Sequence, residues 1–513
     1  MKREELFRAI GEVDEELLYG AANFSGGHKR RRMLRAALIA ACCILLISVI
    51  AVAETSPDLR IAMARHEDTG EDEDFLTLVK QYERESGKRV SVEFYDSAAE
   101  LSDRLSTELL AGSGPDLIAG ADIDCASYGE RGALADYWTL MERDGEIDSS
   151  DFYPGVLESL TDAKGRLYQM PAAVTMYFVI RNEELAAQSG IGTGGDWTLE
   201  RLLEDCVAYT ADPVPGTGAI PWGNYFLTQA MEDELRVSLR EMVEESGGAS
   251  VPAVEYLSDP PWVFGDQAPF GEHWDYDLSQ NLYFAMGLSL DSYANPIVMT
   301  LIRNSEQKLQ SFPRTADQAG EALFRTKYAL CINQAGNTDT AWEFMKFLLS
   351  DEVQTGSGTS MNIIENPVRI SAAEARKNLI RDYTHKQLNN LTTGEGMQDQ
   401  RLMGSYETPE QFLAQLEDYF AAYDRLRAET TAAVPHNPPL EASAFRVIEA
   451  GAYADAAAVC EELSRIVSVY RTETAGDLEQ GYTTLYWIAG GAAAVGAAAA
   501  VVTVVRKRRK ARK

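Results

Sequence analysis

The sequence predicts an α/β fold built on a largely parallel sheet, and three observations predict it. Short apolar runs alternate with segments of helical period, the joints between them are short and rich in Gly, Pro and Asp, and the alternation starts at residue 59. Leu59 to Ala64 reads as the first strand and leads into His66, Glu67 and Asp68. Phe75, Leu76, Val79 and Tyr82 then recur at helical spacing, and Val90 to Phe94 alternates apolar and polar as a half-buried strand does. Leu101, Leu105, Leu109 and Leu110 share one face of the next helix, Gly114-Pro115-Asp116 breaks it, and Leu117 to Ala119 resumes as a strand. In such sheets ligands bind beyond the carboxyl ends of the strands. That rule nominates His66, Glu67 and Asp68 after the first strand, and Asp122 and Asp124 after the third, as cleft residues.

Composition narrows the function classes. The chain has 513 residues, 45% of them hydrophobic, enough for a packed core and too many for general disorder. Seventy-nine acidic residues against 47 basic ones give a net charge of −32, which argues against a nucleic-acid partner. Five His and six scattered Cys are few for a His-based metal centre or a disulfide framework. No HExxH, GxSxG, Walker A or paired CxxC motif is present, so the sequence nominates no catalytic residue, no metal ligand and no cofactor, and a hydrolase reading lacks a nucleophile–base pair. Gly190-Ile-Gly-Thr-Gly-Gly195 satisfies GxGxxG literally but follows a helical stretch instead of a strand, and reads as a loop.

Two uncharged runs organise the chain. Residues 36–53 follow Lys29, Arg30, Arg31, Arg32 and Arg35, and residues 481–505 precede a tail, 506–513, with seven basic residues. Both read as transmembrane helices whose basic flanks stay in the cytosol, with Tyr482, Tyr486 and Trp487 at the outer interface. Ala51-Val52-Ala53 also fits a signal-peptidase site, and Ile39 to Cys42 fits a lipoprotein box superficially. Thirty-five residues precede the apolar run, though, and only six separate Arg35 from Cys42, so an uncleaved anchor is preferred over cleavage or lipidation. Residues 1–35 form a cytosolic leader whose Leu6, Ile10, Val13 and Leu17 give an amphipathic helix. Residues 54–480 are then extracytoplasmic and carry a net charge of −41, which favours a neutral or cationic ligand.

Beyond these patterns the chain resembles a known family. Phe75-Leu-x-Leu-Val-Lys-Gln-Tyr, Val90-Ser-Val-Glu-Phe-Tyr, Leu109-Leu-Ala-Gly-Ser-Gly-Pro-Asp-Leu-Ile and Gly132-Ala-Leu-Ala-Asp-Tyr look like the first lobe of the family 1 extracellular solute-binding proteins, the maltose-binding-like receptors of ABC importers. Tyr177-Phe-Val-Ile-Arg-Asn resembles the family's crossing strand, Asp196-Trp-Thr-Leu-Glu-Arg-Leu-Leu a helix start, and Tyr328-Ala-Leu-Cys-Ile-Asn the return to the first lobe. Between Pro221 and Gln310 the pattern is lost. The resemblance implies a two-lobed periplasmic-binding-protein-like fold with a hinge, lobe 1 comprising 57–172 and 311–367 and lobe 2 comprising 173–310 and 368–476. By the same lobe assignment, Cys125 with Cys331 and Cys206 with Cys460 each share a lobe, which allows a disulfide in each, buried free thiols being the preferred reading.

Aromatic rings offer an apolar face to a sugar, so Tyr128, Tyr177, Trp222, Tyr225, Trp262, Trp274 and Tyr276 join the nominated residues, each also explicable as core. Trp197 and Trp342 sit in helix-like segments and read as core. The acidic run Glu67, Asp68 and Glu71 to Asp74 has a plain alternative, a helix N-terminus with carboxylates at the positive end of the dipole. The expectation is a membrane-anchored, non-enzymatic solute-binding protein at the cell membrane, both termini cytosolic. It would capture a sugar or oligosaccharide for an ABC permease. A surface sensory receptor using the same fold is the competing reading.

Overall fold

The computed structural model describes residues 57–65, 70–192, 196–214, 220–222, 226–258, 281–294, 307–318, 320–356, 363–393, 408–451 and 455–472. The expected leader 1–35, the spans 36–53 and 481–505, and the tail 506–513 lie outside them. Among the described residues no helix is long and apolar enough to cross a membrane.

The described strands are β1 (Leu59–Ala64), β2 (Val90–Tyr95), β3 (Leu117–Ala119), β4 (Ala173–Asn182), β5 (Ile220–Trp222), β6 (Asn281–Leu288), β7 (Gln307–Ser311), β8 (Ala322–Lys327), β9 (Leu330–Ile332) and β10 (Thr430–Ala433). They form two sheets. The first has the order β2-β1-β3-β9, with β1 parallel to both β2 and β3, and β9 antiparallel to β3. β1 is buried on both faces, which is why it reads as a nearly unbroken apolar run instead of an alternating one. Helix Glu71–Ser86 buries Phe75, Leu78, Val79 and Tyr82 in the same cluster as Ile61 and Met63. Helix Ala98–Leu110 begins at Ser97, whose hydroxyl accepts the Glu100 amide at 3.2 Å, and buries Leu101, Leu105 and Leu109 with Ala62 in a separate cluster.

The second sheet has the order β10-β8-β4-β6-β5, with β7 also pairing with β4. β5 with β6 and β8 with β10 are parallel pairs, but β4 runs antiparallel to β6, β7 and β8. The expectation of a largely parallel sheet therefore holds for the first sheet and fails for the second. The chain enters the second lobe along β4 and leaves it along β8, so the two crossing strands lie side by side in opposite directions, Ala173 opposite Lys327. Side chains alternate across β4 with period two. Met176, Phe178 and Ile180 face a cluster that continues into the first lobe and includes Phe412, Leu416, Tyr419 and Tyr423 of helix Pro409–Glu429. Val179 faces a second cluster with Tyr283, Ala285 and residues of helices Leu199–Ala211, Phe226–Val243 and Pro438–Glu449.

Trp342 is fully buried and donates its indole N–H to Asp144 at 2.6 Å, and Trp197 is partly buried and donates to the Ser311 carbonyl at 2.8 Å. Gly155 has φ +83, and a Cβ there would lie 2.2 Å from the carbonyl oxygen of Thr431 in β10. Only glycine lets the first lobe's 153–157 turn approach the edge of the second sheet so closely.

Candidate binding cleft

The carboxyl ends of β1, β2 and β3 deliver the chain to one edge of the first lobe. Arg65 closes that edge by donating its amide to the Tyr95 carbonyl at 2.8 Å. Asp122 is 5% exposed and accepts the Ala64 amide at 2.7 Å, so its carboxylate holds the end of β1. Asp124 does two things. It caps helix Cys125–Glu130 by accepting the Ser127 amide at 3.1 Å, and its other oxygen accepts the Asn437 side-chain amide at 3.2 Å and the Tyr470 hydroxyl.

Asn437 and Tyr470 lie on elements that pack in the cluster facing Val179 of the second sheet. Asn437 caps helix Pro438–Glu449, accepting the Leu440 amide at 3.2 Å, and Tyr470 packs against the second lobe's cluster from helix 456–472. The two are themselves joined, Asn437 donating to the Tyr470 hydroxyl at 2.9 Å. Burial and the neighbouring Asp124 carboxylate push the Tyr470 hydroxyl far above its usual pKa, so it stays a donor at any ordinary pH. Helix Pro438–Glu449 also lies against helix Ala98–Leu110. The lobes thus meet through a three-residue polar bridge beside a helix–helix contact.

The second lobe's wall starts at Tyr177, four residues into β4. Its partly exposed ring stands opposite Gly287 in β6, beside which a side chain would meet no described residue within 4 Å. Tyr177 donates its hydroxyl to the Gln229 side chain at 3.3 Å, and the Arg325 guanidinium lies 5.9 Å from its ring centre. Arg325 donates to Asp233 at 2.7 Å, Asp233 accepts from Arg236 at 3.0 Å, and Arg236 donates to Glu441 at 2.9 Å. Glu441 in turn accepts the Asn437 backbone amide at 2.6 Å. A continuous chain of hydrogen bonds therefore runs from Arg325, beside Tyr177, to the bridge with Asp124. Burial works against the charge on Arg325, but Asp233 more than offsets it and keeps the guanidinium protonated. Burial raises the Glu232 carboxyl pKa, the nearby Arg236 and Arg325 only partly opposing it.

Between these walls lies the crossing. Lys327 is 7% exposed and sits 3.5 Å from Glu365 and 3.9 Å from Glu71, the first residue of helix Glu71–Ser86. Tyr328 takes φ +51, and its hydroxyl, with Thr326 Oγ1 and Gln169 Oε1, is a buried polar atom without a hydrogen-bond partner among the described residues. Buried polar groups are costly when left unsatisfied, and these three lie near the β4 and β8 crossing.

His66, Glu67, Asp68, Tyr225, Trp262, Trp274 and Tyr276 lie outside the described residues, and of Trp222 only the backbone, in β5, is described. Of the other nominated residues the structure brings Asp124 to the lobe junction and Tyr177 to the second wall. Tyr128 is 6% exposed inside the first lobe's smaller cluster, its hydroxyl 3.4 Å from the Ser102 carbonyl, which places it in the core. Gln229, Arg325, Lys327, Asn437 and Tyr470 were not nominated. Arg325 and Lys327 had a local signal, as charges in the otherwise largely apolar strand Ala322–Lys327.

A small cavity lies behind Tyr177, bounded by Asp233, Glu234 and Arg314. A wider groove on the first lobe passes Asp136, Arg143, Arg166, Gln334 and Thr338. Gln334 and Thr338 follow the antiparallel β9, which puts the groove toward the amino end of β3, opposite the edge where Asp122 and Asp124 sit.

Residues 67–239 match the model of a family described as bacterial extracellular solute-binding protein. Among solved structures, the sugar-binding protein MalE from the phytopathogen Xanthomonas citri is similar at 15% identity and TM-score 0.50, covering 82% of this chain and 99% of its own. An ABC transporter solute-binding protein from Agrobacterium radiobacter K84 in complex with ribitol gives 17% identity and TM-score 0.49, with 80% and 98% covered. Another from Thermotoga lettingae TMO, bound with alpha-D-tagatose, gives 15% and 0.43, with 80% and 100% covered. No curated protein matches the chain. The Xanthomonas citri likeness shows the fold, the two-lobed α/β architecture of periplasmic binding proteins.

Proposed function

For a chain whose residues 67–239 match the bacterial extracellular solute-binding proteins, we propose capture of a neutral carbohydrate between the lobes and its delivery to an ABC permease. The observation that carries this reading is the group of Tyr177, Gln229 and Arg325 opposite Gly287, which no described side chain covers. A partly exposed aromatic ring offers a face to the C–H groups of a pyranose. A side-chain amide and a guanidinium next to it supply directional hydrogen bonds to hydroxyls, and the unpartnered Thr326, Tyr328 and Gln169 atoms add further polar groups at the crossing. The Xanthomonas citri relative of the same fold is itself a sugar-binding protein.

Binding proceeds by closure of the lobes about the β4 and β8 crossing. Asp124, Asn437 and Tyr470 hold the closed arrangement, and the hydrogen-bond chain through Glu441, Arg236 and Asp233 ties that bridge to the wall that touches the solute. Residues 36–53 and 481–505 anchor the protein in the cell membrane with residues 54–480 outside and both termini in the cytosol. The acidic outer segment disfavours anionic solutes.

The full chain in detergent, titrated calorimetrically with neutral mono- and oligosaccharides, polyamines and divalent cations, tests the reading. Heat from a sugar and none from the cations is expected. Polyamine binding alone would replace the carbohydrate assignment. Topology has a separate check, since reporters fused at Met1 and Lys513 are both expected to signal from the cytosol.

A further inference from the structure

The described part of the first lobe holds two cysteines, and the fold brings them together across 206 positions of sequence. Cys125 opens helix Cys125–Glu130 directly after Asp124, and Cys331 lies at the centre of β9. Their sulfurs are 3.1 Å apart, Cys125 is 8% exposed, and Cys331 is fully buried. The Cys125 thiol also lies 3.3 Å from the Gly120 carbonyl, which fixes its rotamer on the side facing Cys331. Gly120 itself is close-packed: a Cβ there would sit 3.4 Å from the Cys331 sulfur and 2.5 Å from the Gln169 side chain. The sulfurs therefore face each other, and a bond between them requires an approach of about 1 Å.

We propose that Cys125 and Cys331 are a disulfide-forming pair that staples the Asp124-bearing turn to the return strand β9. The proposal rests on the reading that residues 54–480 are extracytoplasmic, because that is the compartment where structural disulfides persist. The oxidant is another disulfide, glutathione disulfide or the active-site disulfide of a thiol oxidoreductase. The Cys125 thiolate, the more accessible of the two, attacks one oxidant sulfur and releases the other as a thiolate that takes up a proton. The Cys331 thiolate then attacks Cys125 in the mixed disulfide and releases the second oxidant thiol. Two protein thiols are oxidised, one oxidant disulfide is reduced, and the two protons pass to the departing thiols. Burial pushes the Cys331 thiol well above its usual pKa, so the folded protein reacts slowly and the bond forms mainly while the lobe folds.

A staple here acts on the site. β9 follows directly from Tyr328 at the crossing, and Tyr137, deep in the core, donates to the Leu330 carbonyl at 2.8 Å, so β9 is already fixed to the first lobe. Bonding Cys125 to it fixes Asp124, one residue away, against the same strand. The closing bridge to Asn437 and Tyr470 then has a rigid partner on the first-lobe side.

The test uses the full chain, unfolded in urea with reductant, refolded in a glutathione redox buffer, alkylated, and digested without reduction. The expected product is a cross-linked peptide pair containing Cys125 and Cys331, lighter by two hydrogens than the two free peptides. Its thermal midpoint is expected to lie above that of the same preparation treated with reductant, and C331S is expected to abolish the difference. Free, alkylated Cys125 and Cys331 after refolding in the redox buffer would overturn the proposal, as would a link from either to Cys206 or Cys460. Sugar titration of the same preparations keeps the two ideas apart: a linked protein that binds no sugar overturns the carbohydrate reading and leaves the pair standing, and an unlinked one that binds does the reverse.

Discussion

Replacing Tyr470 by Phe isolates the closing bridge from everything else that holds the lobes. The ring, which packs against the second lobe's cluster, is kept, and only the hydroxyl is lost. With it go the donation to Asp124 and the acceptance from Asn437 at 2.9 Å. Asp124 keeps the Ser127 amide and the direct Asn437 contact at 3.2 Å, so its helix stays capped. A hydrogen bond to a charged group contributes about 1.5–3 kcal/mol, and the low end suits a site with a remaining partner. About 1.5 kcal/mol corresponds to roughly a tenfold rise in the ratio of open to closed molecules. Single-molecule energy transfer between dyes placed on helices Glu71–Ser86 and Leu199–Ala211 of the full chain reads that ratio directly. The variant should populate a longer-distance state in the absence of ligand while its thermal midpoint stays within a few degrees of the parent. Distance distributions identical to the parent's would refute the assignment of the bridge to closure. A double-mutant cycle with Asp124→Ala gives an independent check, since partners in one bond are expected to be non-additive.

Three further outcomes follow from the same coordinates. Burial depresses the His436 pKa below its ordinary 6.5, Arg236 and Arg325 adding to the effect while Glu441 and Asp233 oppose it. The unfolded chain then takes up a proton before the folded one does, so stability should fall as pH drops through 6.5 toward the folded value, and H436Q should flatten urea midpoints measured across that window. Gly155→Ala forces a Cβ into the Thr431 carbonyl at φ +83 and should cost about 3 kcal/mol or more, read as a lowered thermal midpoint. Trp342→Phe removes the 2.6 Å bond to Asp144 and should cost about 2–3 kcal/mol in urea unfolding; a loss under about 0.5 kcal/mol would contradict the bond.

What was legible in the sequence was whatever local pattern decides. The first lobe's strands came out at Leu59–Ala64, Val90–Tyr95 and Leu117–Ala119 because each is a short apolar or alternating run bounded by Gly, Pro or Asp. The helix after Trp197 was expected from its resemblance to the family's helix start, and in the structure Thr198 caps it, accepting the Arg201 amide at 3.3 Å. The mixed pairing of the second sheet was not readable, since nothing in β4 states which way its neighbours run. Of the proposed cleft, the rule on carboxyl ends of strands nominated Asp124 and aromatic chemistry nominated Tyr177. The partners of Asp124 stand 313 and 346 positions away, and no local spacing points to them. The burial of Tyr128 was not readable locally, because its helix, Cys125–Glu130, has six residues, too few to display a periodic buried face.

The central claim is that Tyr177, Gln229 and Arg325 form the wall that holds a neutral sugar, and the most direct measurement is calorimetric titration of the parent and of Arg325→Ala and Tyr177→Ala with the sugar that binds best. Removing a stacking ring or a directional donor should weaken binding by about 10–100-fold each, corresponding to roughly 1.4–2.8 kcal/mol. A parent that binds no sugar, or variants that bind as tightly as the parent, would contradict the account.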